Sequence, residues 1–534
     1  MTRRISKILN LEKAYDEVLR DERHGQDFLP DILHFLDTKK FKGQLLQQLK
    51  QELDNNKFQV MDLIKMDVPK DSFFIRPGAR PYLRDLVLYR GLANYIGLRA
   101  DRKLGSAVFS SRFDHTKREL FHWSDQWLKF ERAFWVNFES GFKYLLRTDV
   151  TAYFANIGIE RLRNSIIAVL DKSEESDRVV NFLFSNLIRP WAEKERNKGF
   201  GLPQGGNASP ILANLFLSHV DALLSRNKNL RYLRYSDDIR ILAKSRIDAK
   251  IALKTLIGEL RRIGLDLNEK KTQILASSEV EEQLRDPRRQ DMDTIQTILS
   301  LGDEDFIKKL GMPLLNDLFQ RSFDSSNAFA DRHLRFAVNC FVRLREIYGG
   351  RDKEIEAVGM RLIDKLEAMP GSADTFSRFF SVFPQDIFKK KLVKFLKGHA
   401  NIYEWQEMCI LGCLLRFQPF SQAELHVFRD IAFDKDKHSL TRSKALLLLG
   451  KFGNEHERYH LMNKFNEEAD YLVKRAMIVA TQKLSIAERS DFYSMVKKTD
   501  QEQAELVDHI KSLKEPTYFD DYVPSPISPI EEQY

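Results

Sequence analysis

An α+β unit in the first half of the chain, followed by an all-α second half, is the fold this sequence predicts. Two observations carry the first part. Apolar runs rich in strand-forming residues end on acids, at Asp149 and at Asp237-Asp238, and a glycine-rich turn opens a helix between them. A third carries the second part. From about Asp303 to Ser512 apolar residues recur at i, i+3, i+4 and i+7 with few strand signals.

The elements run in order along the chain. Residues 1 to 70 alternate charged and apolar positions helically and are expected to pack against the α+β unit. Phe142 to Leu146 suits a central strand ending at Asp149. Gly201 to Gly206 holds three glycines, one proline and one glutamine, which permits close backbone approach. Ser209-Pro210 then has the form of an N-cap and first helical residue, with Ile211, Leu212, Leu215, Phe216 and Val220 at helical spacing. Around Asp237-Asp238, Arg234 to Ser236 and Ile239 to Leu242 predict a hairpin with the acids at its tip.

Side chains alternate across a strand, so one carboxylate of the doublet can face an ion while its neighbour turns to a second ligand. With Asp149 on the adjacent strand, three carboxylates would converge. Mg²⁺ prefers hard oxygen ligands and commonly takes one or two protein carboxylates beside substrate phosphates, so three acids suit two ions. Two such ions stabilise the attacking and leaving oxygens of an in-line displacement. An isolated Asp-Asp pair would be an ordinary turn or cap; the order of the three features is what favours chemistry.

These segments resemble the reverse transcriptase family. DVTAYF resembles its first palm motif, GLPQGGNASPILAN its glycine-loop motif and YSDD its catalytic hairpin. The likeness extends upstream to Phe74–Tyr95 and Phe109–Arg112, which resemble finger segments, and downstream to Gly264–Leu275, so it covers roughly residues 70 to 276. It implies fingers and palm over 71–285, with Asp149, Asp237 and Asp238 as catalytic metal ligands and Val150 added to the metal set. It implies two Mg²⁺ ions, with Mn²⁺ able to substitute, and dNTPs as substrates. Phe154 would stand beside the sugar 2′ position and exclude ribonucleotides, or else be a core phenylalanine. Gln204 would touch the template–nucleotide pair, Lys271 would approach the triphosphate as a proton donor, and Arg76 and Arg80 would clamp phosphates.

Two departures stand out. The first motif runs Tyr153-Phe154-Ala155 without the acid many bacterial members carry there, and after Leu275 no strand-turn pattern or compact thumb-like segment occurs. Instead, RSKALLLLGKF, VKRAMIVATQKL and EMCILGCLLRF begin some 30 to 36 residues apart, the length of a helical hairpin, which predicts a HEAT-like α-repeat domain over 286–514. Fingers and palm without a conventional thumb, joined to such repeats, resemble the AbiK-like, prophage-encoded abortive-infection reverse transcriptases of bacterial phage defence. That resemblance implies untemplated DNA synthesis from a protein hydroxyl, a single-stranded product carried covalently, and a homo-oligomer. Candidate priming hydroxyls are Tyr15, Tyr518, Tyr522 and Tyr534. Two rivals stay open: a templated enzyme of retron or group II intron type, and a helical-repeat scaffold with a vestigial palm.

Bulk properties narrow the field less. Lys+Arg 85 against Asp+Glu 77 gives +8, which favours a polyanionic partner without demanding one. Cys340, Cys409 and Cys413 are the only cysteines and are expected in the core of a protein in a reducing compartment, with no zinc site. No apolar stretch approaches membrane-spanning length and no signal peptide opens the chain, so a bacterial cytoplasmic location without membrane contact is expected. The charged stretch Glu279–Asp293 is expected to connect the halves, and 515–534, with four prolines and five acids, to be a disordered tail.

Overall fold

The computed structural model describes residues 4–23, 28–70, 73–324, 327, 329–347, 352–417, 419–499 and 501–518. At its centre is a four-stranded antiparallel sheet of β5 (Tyr144–Asp149), β6 (Leu230–Tyr235), β7 (Asp238–Ala243) and β8 (Gln273–Ala276), in the order β6-β7-β5-β8. Alternation along β7 divides its side chains between two cores. Ile239 and Ile241 face the helices Ala208–Phe216 and Arg246–Arg262, whereas Leu242, with Leu145 of β5, packs on Phe130, Phe134 and Phe138 of helix Trp123–Glu139. Both faces are therefore covered, which is why β7 reads as a nearly unbroken apolar run.

Two smaller hairpins precede the sheet. β1 (Ile64–Pro69) pairs antiparallel with β2 (Ile75–Arg80), and β3 (Phe113–Asp114) with β4 (Glu119–Leu120). The amino-terminal helix Leu11–Arg23 packs on Leu83–Ala100, where buried Arg90 bonds Glu17 and Asp21, each at 2.9 Å.

Beyond β8 the described chain is helical. The stretch Glu279–Asp293, expected to connect the halves, is mostly helical, running through Ser277–Leu284 and Arg289–Leu301 with a break at 285–288. Its opposite charges meet at helical spacing, Arg285 on Glu281 at 2.7 Å and Arg289 on Asp293 at 3.4 Å, while Val280, Met292 and Ile295 are buried beneath them. The charges thus support a helix rather than solvate a linker.

From Ala330 onward the helices stack in two layers. Ala330–Arg343, Ala373–Val382, Glu404–Leu414, Ser439–Phe452, Tyr471–Ala480 and Gln501–Lys511 each pack on the next to form one layer. Lys353–Lys365, Asp386–Leu396 and Gln422–Phe433 form a second. The first layer closes on the β1–β2 hairpin: Ile64, Met66 and Val68, on the inward face of β1, share one core with Leu411, Phe336 and Leu446. Polar ties reinforce the junction, with Trp405 Nε1 donating to the Phe28 carbonyl at 2.8 Å and His438 Nε2 lying 2.8 Å from the Lys65 carbonyl.

Cys340 and Cys413 are buried in this array, and burial pushes the Cys413 thiol up to about 12, which makes it a poor nucleophile. Among the described residues no single helix is long and apolar enough to cross a membrane. The bent pair Ala208–Phe216 and Ser218–Ser225 is apolar because most of it lies in the core behind the sheet.

Candidate active site

The β6–β7 turn is only two residues long. Tyr235 pairs with Asp238, and Ser236 takes φ 56°, the left-handed conformation such tight hairpins need at the first turn position. A serine held there is strained, and its surroundings hold it. Ser236 N donates to Ser110 Oγ at 2.8 Å, Arg234 Nη1 donates to the Ser236 carbonyl at 2.9 Å, and Val150 N donates to the Asp237 carbonyl at 3.3 Å.

Arg234 is fully buried beneath the turn. Its Nε and Nη2 donate to the two oxygens of Asp221 at 2.7 and 2.6 Å, its Nη1 donates to Asn214 Oδ1 at 2.9 Å, and Tyr232 also donates to Asp221, at 2.8 Å. A bidentate, fully hydrogen-bonded pair is the arrangement in which a buried charge is tolerated. Asp221 and Asn214 therefore fix the hairpin tip, and sequence reasoning missed both. Nothing local announces them, because they lie on helices 13 and 20 residues from their partner.

Register places Asp149 directly opposite Asp238, with Asp237 at the tip beside them. Burial, reinforced by the charge of Asp149 and a side-chain hydrogen bond to it, pushes the Asp237 carboxyl up to about 6. Burial raises Asp238 as well, opposed by Arg240 and Arg147. Lys271 Nζ bonds Asp149 Oδ2 at 2.9 Å. An ammonium thus stands against Asp149 and Asp237 holds its proton more tightly than usual, where a divalent cation would take over.

That donor set fits Mg²⁺: three hard carboxylates, crowded enough to need positive charge, to which Val150 can add only a backbone carbonyl. Among the described residues no three acidic or histidine side chains stand at metal-holding distance from one another, so the ions would draw the carboxylates together. When bound, they would activate the attacking hydroxyl and neutralise the leaving pyrophosphate.

Of the other predicted residues Arg76 lies within electrostatic reach of the acids, as does Lys70, which sequence reasoning missed. Asp237 acts electrostatically on Arg76 and Lys70, and burial lowers both cations. Arg76 also lies over the Phe28 ring at 4.7 Å. Phe154 is half-buried in the one-turn helix Tyr153–Asn156, and its carbonyl accepts from Leu202 N at 3.0 Å, tying it to the glycine loop. Within that loop Gly201 and Gly206 have φ 94° and 60°, and the Gln204 carbonyl accepts from Ala79 N of β2 at 3.1 Å. The loop accordingly joins the β1–β2 hairpin to helix Tyr153–Asn156.

Four expectations are corrected. The helix after the loop starts at Ala208 with Asn207 as N-cap, and Ser209 is buried with its Oγ 2.9 Å from Tyr89 Oη; Pro210 still sits in the first turn, where its missing N–H costs nothing. Arg80 clamps no phosphate: it is 2% exposed, 3.7 Å from Glu22 and 3.8 Å from Asp31. Tyr15 cannot present a hydroxyl, since it is 1% exposed, bonded to Thr38 at 2.8 Å and pushed up to about 12 by burial. Tyr518 is likewise buried, donating to the Gly450 carbonyl at 2.9 Å. Tyr522 and Tyr534, with most of the expected tail, lie outside the described residues.

Residues 111–314 match the family described as "Reverse transcriptase (RNA-dependent DNA polymerase)". The chain thus carries a reverse transcriptase domain, which makes it a nucleotidyltransferase of the DNA-polymerase kind. Among solved structures it is similar to telomerase from Candida albicans in complex with a fragment of telomeric RNA, at 11% identity over 73% of this chain and 70% of that one, with TM-score 0.33. Apo telomerase from Candida tropicalis matches at 12% identity over 71% of each chain, with TM-score 0.31. A Cas6-RT-Cas1–Cas2 complex matches at 12% identity over 92% of this chain and 67% of that one, with TM-score 0.26.

Proposed function

We propose that Asp149, Asp237 and Asp238 hold two Mg²⁺ ions at which this chain joins deoxynucleotides into a single strand. The observation that carries the reading is the hairpin register, which brings Asp149 opposite Asp238 and beside Asp237. Arg76 and Lys70 would meet the triphosphate, Lys271 would leave Asp149 to protonate pyrophosphate, and Phe154 would exclude the ribose hydroxyl.

The finer reading is untemplated synthesis from a protein hydroxyl, in a homo-oligomer serving abortive-infection defence, with the two-layered helical half as a HEAT-like array. Its support is the sequence resemblance together with the stacking of alternate helices. Of the four candidate priming hydroxyls, burial disfavours Tyr15 and Tyr518, which leaves Tyr522 and Tyr534 as the hydroxyls to test. Purified chain incubated with labelled dNTPs and Mg²⁺, with and without template, and then digested with protease tests both levels. Label that enters without template and changes mobility after proteolysis is the expected result. Protease-insensitive, template-dependent product would replace it with templated copying; no incorporation by folded chain would remove the polymerase reading.

A further inference from the structure

Away from the acids, a cavity of ≈ 100 Å³ lies where three parts of the chain meet. Asp37 enters it from the amino-terminal region, Arg80 and Tyr82 from the fingers, and Tyr471 and Arg475 from the helical array. Three of these side chains are more than nine-tenths buried yet leave polar atoms without a hydrogen bond: Arg80 Nε and Nη1, Arg475 Nε and Asp37 Oδ1. Their ion pairs do not supply the missing bonds. Glu22 and Asp31 stand 3.7 and 3.8 Å from Arg80, too far for hydrogen bonds, and the 2.9 Å contact between Arg475 and Asp37 uses Nη2 and Oδ2.

An unmet buried donor or acceptor is costly, so such atoms are normally satisfied by something that enters. The space is well beyond what a single water needs and has room for a small ring system. The Tyr82 and Tyr471 rings, 5.7 Å apart at 73°, pack edge to face and close one wall of the space. The unmet groups ask for acceptors facing the two arginines and a donor facing Asp37. Guanine offers that pattern: a carbonyl oxygen and ring nitrogen accept on one edge, while a ring N–H and an amino group donate on the next. Adenine lacks the carbonyl, and pyrimidines are smaller.

We propose that this cavity binds a guanine base, with Arg80 and Arg475 donating to its carbonyl edge and Asp37 accepting from its N–H edge. The occupant would bridge fingers and array. It would also bear on the catalytic region, because Ala79, next to Arg80, bonds the Gln204 carbonyl of the glycine loop. Base binding stands apart from the polymerase reading; only that coupling rests on it.

Guanosine titrated against the full chain by saturation-transfer NMR and thermal shift tests the site. Asp237→Ala with Asp238→Ala is run in parallel to remove catalytic chemistry. Leu45→Trp, which fills the cavity from its wall, and Gln48→Trp, at an exposed position on its rim, are the blocking variants. The expected result is guanosine binding to wild type and to the double-alanine chain, at least tenfold weaker adenosine and cytidine binding, and at least tenfold loss in a folded tryptophan variant that still incorporates dNTPs. Binding unchanged in both folded tryptophan variants places guanosine elsewhere and overturns the proposal. Absence of guanosine binding by folded wild type means the cavity holds waters only. If guanosine binds as expected but wild type incorporates no dNTP, the polymerase reading fails and the base site stands.

Discussion

At the scale of single residues, the site is governed by how a few charges are kept. Asp237 is raised to about 6, above its usual 3.8, so the fold favours its protonated form. That contribution to stability is fully present below about pH 4 and is lost as pH rises through about 6, in the metal-free chain. Metal needs the ionised form, so incorporation should fall steeply as pH drops below about 6 and recover with more Mg²⁺; pH–rate profiles at several metal concentrations check this. Replacing Asp237 and Asp238 together by Ala should cut incorporation by roughly a thousandfold or more, measured by labelled-dNTP incorporation, without lowering the melting temperature. The place of Asp149 at a strand end beside the hairpin was legible because its setting is a local motif. Asp221 was not, for its value lies wholly in a partner 13 residues away.

Secondary-structure elements set the next scale. Arg234 and Asp221 bind hairpin to helix as one buried pair, so Arg234→Met alone should cost about 3–5 kcal/mol by leaving Asp221 unpaired. The double variant Arg234→Met with Asp221→Leu should recover most of that in urea unfolding, and an additive loss would show the two act separately. In the array, helix Ser439–Phe452 crosses Tyr471–Ala480 so closely that a Cβ at Gly450 would lie 2.4 Å from the Ala480 Cα. Gly450→Ala should therefore destabilise by about 1–3 kcal/mol despite the gain in helix propensity, as thermal unfolding would show. Helical period and the hairpin at the acids were readable in sequence, since each is written in neighbouring residues, though Asp238 opens the strand rather than sharing the turn. That the Glu279–Asp293 connection is helical was not read from its charge density, although paired signs at helical spacing hold its helices.

For the whole molecule, the decisive fact is that the fingers and the helical half share a core. The inward face of β1 gives Ile64, Met66 and Val68 to a cluster built mainly from residues beyond 290. No sequence pattern announces such a junction, because β1 alternates like any half-buried strand and its partners lie more than 200 residues away. Residues 1–285 expressed alone should be insoluble or associate, since that face would be bared; a soluble monomer with native-like near-ultraviolet dichroism would refute it.

One face of β1 is fixed in the array's core while Phe73, Phe74 and Ile75 at the hairpin's tip stay exposed, so the base of the hairpin has little freedom to swing over an arriving nucleotide as a lid. Selection would then lack the checkpoint that lid closure supplies and depend on pocket contacts alone, which for small differences of shape are worth about 1–3 kcal/mol. An enzyme so arranged should prefer one deoxynucleotide over another by no more than about 10- to 200-fold, as single-nucleotide incorporation would read.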